Sequence, residues 1–142
     1  MSASQLRVPR EIFLSHSSKD RRFAMRLATM PRDHGMPVWY AASEIIGAQQ
    51  WHDEIGSALA RCDWFVLVLS PNAVRSEWVH RELLFALNHA QYRDRIAPVV
   101  FRKCRPQKLS WTLETFQHID FSANYINGCA QLLRVWGKAY RG

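Results

Sequence analysis

The chain has 142 residues, of which 48% are hydrophobic and 22% are charged, proportions that are ordinary for a folded globular protein. This length predicts one domain with a proper core, and no apolar run approaches the ~20 residues that a membrane-spanning helix needs. The amino terminus, MSASQLRVPRE, lacks the apolar core of a secretory signal, so we expect a cytoplasmic protein without a membrane partner.

The charge balance is basic, with 19 lysines and arginines against 12 aspartates and glutamates and a formal net charge of +7. Such a balance favours an anionic partner: nucleic acid, a phosphate-bearing ligand or an acidic protein surface. The cations are scattered singly or in pairs, so a solvated surface is the simpler interpretation and nucleic-acid binding the weakest functional hypothesis. Cys62, Cys104 and Cys129 match no zinc-ligand or disulfide spacing, so no metal is expected.

Short apolar bursts bounded by polar turns predict five strands. The first, 11–15, runs into a polar loop at 16–20, and the third, 64–69, is the most hydrophobic run of the chain. A continuous apolar strand of this kind belongs inside a parallel sheet that is covered on both faces. The remaining strands are predicted at 37–40, 96–101 and 118–121.

Apolar residues at helical spacing predict helices between these strands. The first helix is expected to follow a cap at Ser18 or Asp20. Pro31 should kink or end this helix, and Gly35 is a plausible stop. The other helices are predicted at 51–61, 76–87 and 124–138, and the segments 41–49 and 102–117 are predicted as loops.

Strands that alternate with helices along the whole chain imply right-handed crossovers and an open parallel sheet. We therefore expect an α/β fold, a flavodoxin-like three-layer sandwich with a central parallel five-stranded sheet. The whole of 1–142 should form a single domain with its core at about 10–138. Ligands of such sheets bind at the carboxyl ends of the strands, where the loops 16–20, 41–50 and 70–76 should meet.

The helix at 76–87 carries one charge that fits neither of its faces. Glu82 falls about 85° from the centre of the apolar stripe, one turn after Trp78. A carboxylate at such a border beside an indole can have a perturbed pKa and act on a ligand. The alternative is a boundary glutamate paired to an arginine, and the helix alone does not decide between the two.

Familiar catalytic motifs are missing from the sequence. It has no glycine-rich phosphate loop, no GxSxG elbow and no ready Ser/His/Asp triad. The groups that remain at the predicted carboxyl edge of the sheet are one carboxylate, aromatic surfaces and polar loop ends. Such a set suits the stacking of a planar ring and the stabilisation of positive charge on a sugar carbon, as when a glycosidic bond is cleaved.

Four segments, taken in order, resemble Toll/interleukin-1 receptor (TIR) domains of the bacterial, NAD-consuming type. They look like the first sequence box, the second strand with the BB loop, the central strand and the catalytic helix of that family. The resemblance covers residues 10 to about 136. The segments are EIFLSHSSKD at 11–20, VWY at 38–40 with EIIG at 44–47 and Trp51, FVLVLSP at 65–71, and SEWVHREL at 76–83.

What the resemblance implies is cleavage of NAD+, with NAD+ as the substrate and no cofactor. Glu82, four residues after Trp78, matches the family's catalytic glutamate. It would hold the nicotinamide ribose and stabilise the cation-like ribosyl carbon as nicotinamide leaves. Capture by water or by the adenine of the same molecule would give ADP-ribose or a cyclic isomer.

The resemblance also implies a set of substrate-binding residues. His16, Ser17 and Ser18 occupy the family's position for contacting the ribose and phosphates. Trp78 is either a substrate platform or the wall that fixes Glu82. Ser76 is first a helix N-cap and second a polar neighbour of the site. Trp39 is expected to pack in the sheet; the alternative is that it forms a platform on which a ring of the substrate stacks.

TIR enzymes usually work as assemblies in which the BB loop of one subunit closes the site of its neighbour. The resemblance therefore implies self-association with other TIR domains through Glu44, Ile45, Ile46 and Gly47. We expect an effector of prokaryotic antiviral defence, the N-terminal module of a longer protein with a fused or separate sensor domain; a free-standing TIR protein is the alternative. The competing function is a non-catalytic TIR–TIR adaptor module in signal transduction.

Overall fold

A single parallel sheet forms the centre of the molecule. The computed structural model describes residues 8–41 and 48–142, with only the backbone described at 48–51. The sheet has the strand order β2-β1-β3-β4-β5, and every neighbouring pair of strands is parallel. This confirms the predicted α/β sandwich with five strands. They are Ile12–Ser15 (β1), Val38–Tyr40 (β2), Trp64–Leu69 (β3), Ile96–Val100 (β4) and Ile119–Asp120 (β5).

The helices of the described ranges connect these strands, and their limits differ from the predicted ones in places. They are Arg21–Asp33 (α1), Ala48–Arg61 (α2), Pro71–Val74 (α3), Glu77–Leu87 (α4) and Tyr125–Val135 (α5). Helix α2 begins three residues before the predicted start at 51. Helix α3 forms within the predicted loop at 70–76, because Ser70 caps it and Pro71 fits its first position. None of these described helices combines the length and hydrophobicity needed to cross a bilayer.

Helix α1 continues two residues beyond Pro31, so of the two predicted effects of this proline, a kink or an end, the end is wrong. In the last turn the missing amide costs a single bond, and the Pro31 carbonyl still accepts the amides of His34 and Met36. The helix ends in a Schellman motif, in which Gly35 has a φ of 84° and its amide bonds to the Arg32 carbonyl. The prediction that Gly35 is the stop is confirmed.

The sheet separates two buried cores. Leu27 of α1 and Leu132 of α5 pack in one of them, and Ile55 of α2 and Leu83 of α4 pack in the other. All six residues of β3 are buried, and they alternate between the two cores because successive side chains of a strand point to opposite faces. This confirms the prediction that the apolar run at 64–69 lies inside the sheet, and it brings the carboxyl ends of β1 and β3 side by side.

Gly128 of α5 lies where this helix passes closest to Phe121. A Cβ at position 128 would come within 2.5 Å of the buried phenyl ring. We therefore expect Gly128→Ala to lower the free energy of unfolding, measured by chemical denaturation, by about 1–3 kcal/mol. Gly56 of α2 gives a matched control, because a Cβ there meets nothing within 4 Å. Gly56→Ala should raise the free energy of unfolding by about 0.5–1 kcal/mol, and similar effects of both substitutions would contradict this packing.

Candidate functional site

Glu82 lies on α4 where this helix packs against β1. The residue is only 6% exposed, and its Oε1 accepts a hydrogen bond from the Ser15 hydroxyl at 2.7 Å. Ser15 is the last residue of β1 and is itself buried. The alternative of a boundary glutamate paired to an arginine is therefore wrong, because the carboxylate is buried and bonded to a neutral serine.

Burial dominates the electrostatics of this carboxylate. Loss of solvent raises the pKa of Glu82 to about 7, and the hydrogen bond from Ser15 opposes that rise. The carboxyl group therefore changes its charge near neutral pH. Carboxylates with such raised pKa values are concentrated at sites that bind or transform ligands.

The start of α4 determines how Trp78 and Glu82 are placed. The Ser76 hydroxyl oxygen accepts the Val79 amide at 3.2 Å and so caps the helix, while Glu77 lies in the first turn, where a negative charge favours the helix dipole. With the first turn fixed, Trp78 and Glu82 lie one above the other on successive turns, four residues apart. Ser76 thus fills the first of its two predicted roles, the helix cap.

Trp78 is less enclosed than Glu82. It is 38% exposed, the edge of its ring meets His52 of α2 with centroids 6.1 Å apart, and the Arg81 guanidinium carbon lies 5.4 Å from its ring centroid. An indole held between these groups keeps part of its surface open to solvent. Such exposure is more typical of a stacking platform than of a buried wall behind Glu82.

The loop after β1 holds the other predicted binding residues, and they differ in accessibility. Ser18 is exposed, whereas Ser17 is buried and its hydroxyl oxygen accepts the Lys19 amide at 3.2 Å. His16 is half-buried, with Nδ1 2.8 Å from the Ser17 carbonyl oxygen. Burial lowers the pKa of His16 against the opposing effect of nearby backbone carbonyls, so a neutral imidazole is favoured at physiological pH.

Asp20 has a role that sequence reasoning missed. It occupies the N-cap position of α1, one of the two predicted positions, but its side chain makes no capping hydrogen bond. The buried carboxylate instead accepts hydrogen bonds from the Ser70 hydroxyl and from Asn72 Nδ2, the latter at 3.0 Å. These donors lie just after β3, so Asp20 joins the loops that follow two neighbouring strands.

Trp39 packs within the sheet, as predicted. Its ring stacks on Phe13 at 5.0 Å, and Phe13 stacks on Phe65 at 5.6 Å. The three rings belong to registered positions of β2, β1 and β3, so they lie in a row on one face. The stacked rings contribute to the pairing of β1 with β2 and precede the polar loops at the carboxyl ends of these strands.

Two further predictions concern the assembly residues and metal binding. Glu44, Ile45, Ile46 and Gly47, which we predict to mediate assembly, lie outside the described residues. Among the residues that are described, no group of three or more His, Cys, Asp or Glu side chains is arranged to hold a metal ion.

The strand order explains why these side chains meet at one edge. In the order β2-β1-β3-β4-β5, the chain leaves β1 towards one side of the sheet for β2 and reaches β3 on the other side. The crevice between the carboxyl ends of β1 and β3 is therefore the switch point at which ligands of doubly wound sheets bind. Ser15, the loop after β1, Ser70 and Glu82 all lie at this crevice.

Comparison with known proteins identifies the family. A sequence profile described as TIR domain matches residues 12–133, which is most of the chain. No curated protein sequence gives a significant match. Among solved structures, the TIR domain of the Toll-related receptor TRR-2 from Hydra magnipapillata has a TM-score of 0.71 at 15% identity, and the alignment covers 89% of this chain and 98% of that one.

Two other structures have the same fold. A TIR-STING receptor from C. gigas, in complex with 2',3'-cGAMP, has a TM-score of 0.72 at 18% identity, over 98% of this chain and 42% of that one. The TIR domains of the activated Roq1 resistosome, which recognises the effector XopQ, have a TM-score of 0.66 at 17% identity, over 87% of this chain and 97% of that one. The profile match over residues 12–133 shows that the chain belongs to the TIR domain family.

Proposed function

We propose that this TIR domain is an NAD+ glycohydrolase that cleaves the bond between nicotinamide and ribose. The observation that carries the proposal is the Glu82 carboxylate, buried at the switch point and bonded to Ser15. Burying a carboxylate beside a neutral partner costs stability, so an interaction scaffold gains nothing from it. A site that must stabilise a developing cation gains directly, because a charge in a low-dielectric pocket acts more strongly.

The proposed reaction needs a carboxylate and a departing group that is already activated. The C1'–N bond of the nicotinamide riboside breaks, its electron pair neutralises the pyridinium nitrogen, and nicotinamide leaves. Positive charge then develops on the ribosyl carbon, and the ionised Glu82 stabilises it. Water adds to that carbon and loses a proton to give ADP-ribose; the adenine of the same molecule adds instead when a cyclic isomer forms.

Other residues at the edge would bind rather than react. Partly exposed Trp78 offers a planar surface to an aromatic ring. Exposed Ser18 and the neutral imidazole of His16 suit the ribose hydroxyls and phosphate oxygens. The hydroxyl of Ser17 already accepts a backbone amide, so its contribution is to shape this loop.

We further propose that self-association activates the enzyme, with residues 44–47 of one copy completing the site of the next and a fused or separate sensor domain triggering assembly in prokaryotic immunity. A non-catalytic TIR–TIR adaptor is the second candidate. Leu84 favours it, because this leucine of α4 is 61% exposed and is an apolar side chain that a partner could bury.

The deciding experiment is turnover of NAD+ at a protein concentration at which light scattering demonstrates assembly. Nicotinamide and the ribosyl product are separated by chromatography, for the wild type and for Glu82→Gln. Release by the wild type that is lost in the variant supports the enzyme. No release by a demonstrably assembled wild type contradicts it and favours the adaptor.

A further inference from the structure

Residues 102–111, here called the basic segment, follow β4 at the carboxyl edge and carry charge that the NAD+ site does not use. Arg102, Lys103, Arg105 and Lys108 are all exposed, and no acidic residue follows them before Glu114. Four cations within seven positions are a large share of a net charge of +7. The positive charge is therefore more concentrated than its scatter along the whole sequence suggested.

These cations are left available to an external anion. The Arg102 guanidinium carbon lies 4.7 Å from the Phe101 ring centroid, and the ion pairs recorded within 8–41 and 48–142 lie elsewhere, between Arg61 and Glu11 and between Arg95 and Asp63. An exposed cation that takes part in none of these ion pairs attracts mobile anions.

The backbone holds the basic segment in a defined shape. A 3-10 turn at Pro106–Lys108 packs against a second one at Trp111–Thr115. The Ser110 hydroxyl oxygen accepts the Thr112 amide at 3.2 Å and caps the second turn. The sequence predicted an irregular loop here; the structure instead has two packed turns, which carry the exposed side chains of Lys108 and Trp111.

Trp111 is the unusual member of the basic segment. It is 75% exposed, more than the other exposed large hydrophobic residues of the described ranges. Burial therefore does not account for a tryptophan at this position. An aromatic side chain beside cations is the arrangement with which proteins bind single strands, because bases stack on the ring while phosphates contact the cations.

A cleft of about 520 Å³ opens between the basic segment and the end of β5, within the size range of small-ligand sites. Its lining includes Lys103 and Gln107 on one side and Glu114 and Asp120 on the other. The two carboxylates repel phosphate and accept hydrogen bonds from amino groups. A base therefore suits the cleft, and phosphates suit its basic rim.

We propose that the basic segment and Trp111 form a binding surface for single-stranded nucleic acid. The phosphates contact the four cations, one base stacks on Trp111, and a neighbouring base enters the cleft. An acidic protein segment satisfies the cations but leaves the exposed indole without a planar partner. The surface is separate from Glu82, so it does not depend on the proposed NAD+ cleavage.

The test is fluorescence anisotropy with a labelled twelve-nucleotide single strand, titrated at several salt concentrations. We expect affinity to fall with salt, with a logarithmic slope of about 0.7 for each phosphate contact. Trp111→Ala should weaken binding about tenfold or more at an unchanged slope, because stacking is lost. Arg105→Ala with Lys108→Ala should weaken binding and lower the slope by about 1.4.

The charge-matched control is Arg93→Ala with Arg134→Ala, two exposed cations from the opposite, amino edge. Melting curves verify that each variant is folded. The proposal is overturned if this control weakens binding as much as the basic-segment pair, or if Trp111→Ala binds as tightly as the wild type. It is also overturned if polyglutamate competes as well as the single strand at equal charge, which points to an acidic protein partner.

Discussion

Replacing Glu82 by glutamine is expected to abolish nicotinamide release and, at the same time, to stabilise the fold above neutral pH. Glutamine has nearly the same shape, and its Oε1 can still accept the Ser15 hydrogen bond, so the pocket is retained. The charge that stabilises the ribosyl cation is lost. Removing one such preorganised electrostatic contact from an active site slows turnover by about 10²–10³-fold.

The gain in stability follows from the raised pKa of Glu82. Its pKa is about 7 in the fold against an ordinary value of 4.5, so the folded state holds more protons than the unfolded state between these pH values. The free energy of unfolding of the wild type must therefore fall by about 3 kcal/mol at most as the pH rises through this window. Above the window it stays at this lower value. Glu82→Gln lacks this ionisation, so its melting temperature should exceed that of the wild type at pH 8 and match it near pH 4.5.

Glu77→Gln is the matched control, because Glu77 lies on the same helix but is exposed. It should leave nicotinamide release unchanged and cost a few tenths of a kcal/mol through the helix dipole. Wild-type activity in Glu82→Gln would exclude the carboxylate from the chemistry. An absence of any pH-dependent stabilisation would show that Glu82 is not held in a desolvated pocket.

The architecture could be predicted from the sequence because local patterns determine most of it. The apolar run at 64–69 marks a central strand, and helical spacing elsewhere alternates with strands. Helix limits were less predictable. Pro31 is tolerated inside α1 because a proline in the last turn of a helix removes only one hydrogen bond. Helix α3 forms because Ser70 caps it, although the segment is too short to show helical periodicity in the sequence.

The candidate site was predictable only in part. Periodicity indicated that Glu82 belongs to neither face of its helix, and the family resemblance assigned it a role. Its partner Ser15 is 67 positions away, and the contact depends on how α4 packs over β1 rather than on local spacing. The Asp20 contacts to Ser70 and Asn72 have the same origin. The sequence feature that could have indicated these contacts is the presence of polar residues directly after adjacent parallel strands, because such residues lie at the same edge of the sheet.

Ser15→Ala is expected to move the activity to higher pH rather than to abolish it. The Ser15 hydroxyl donates to the Glu82 carboxylate and opposes the effect of burial, so its loss should raise the pKa of Glu82 further. A hydrogen bond to a charged group contributes about 1.5–3 kcal/mol, which corresponds to a displacement of about one to two pH units. The rate of nicotinamide release should then drop sharply at pH 7 and approach the wild-type rate near pH 9.

Two measurements separate this effect from a simple loss of structure. The carbon-13 shift of the Glu82 carboxyl, followed by NMR against pH, reports its ionisation without any substrate. Ser15→Thr keeps the hydroxyl and should therefore have the titration and the pH–rate profile of the wild type. The neighbouring His16 is favoured as a neutral ring, so it does not supply a charge that compensates for a lost hydroxyl. If Ser15→Ala instead lowers the rate by the same factor at every pH while the Glu82 titration stays unchanged, the serine merely fills space beneath α4. Under the expected outcome, one neutral hydroxyl determines how much of the buried carboxylate is ionised, and therefore reactive, at neutral pH.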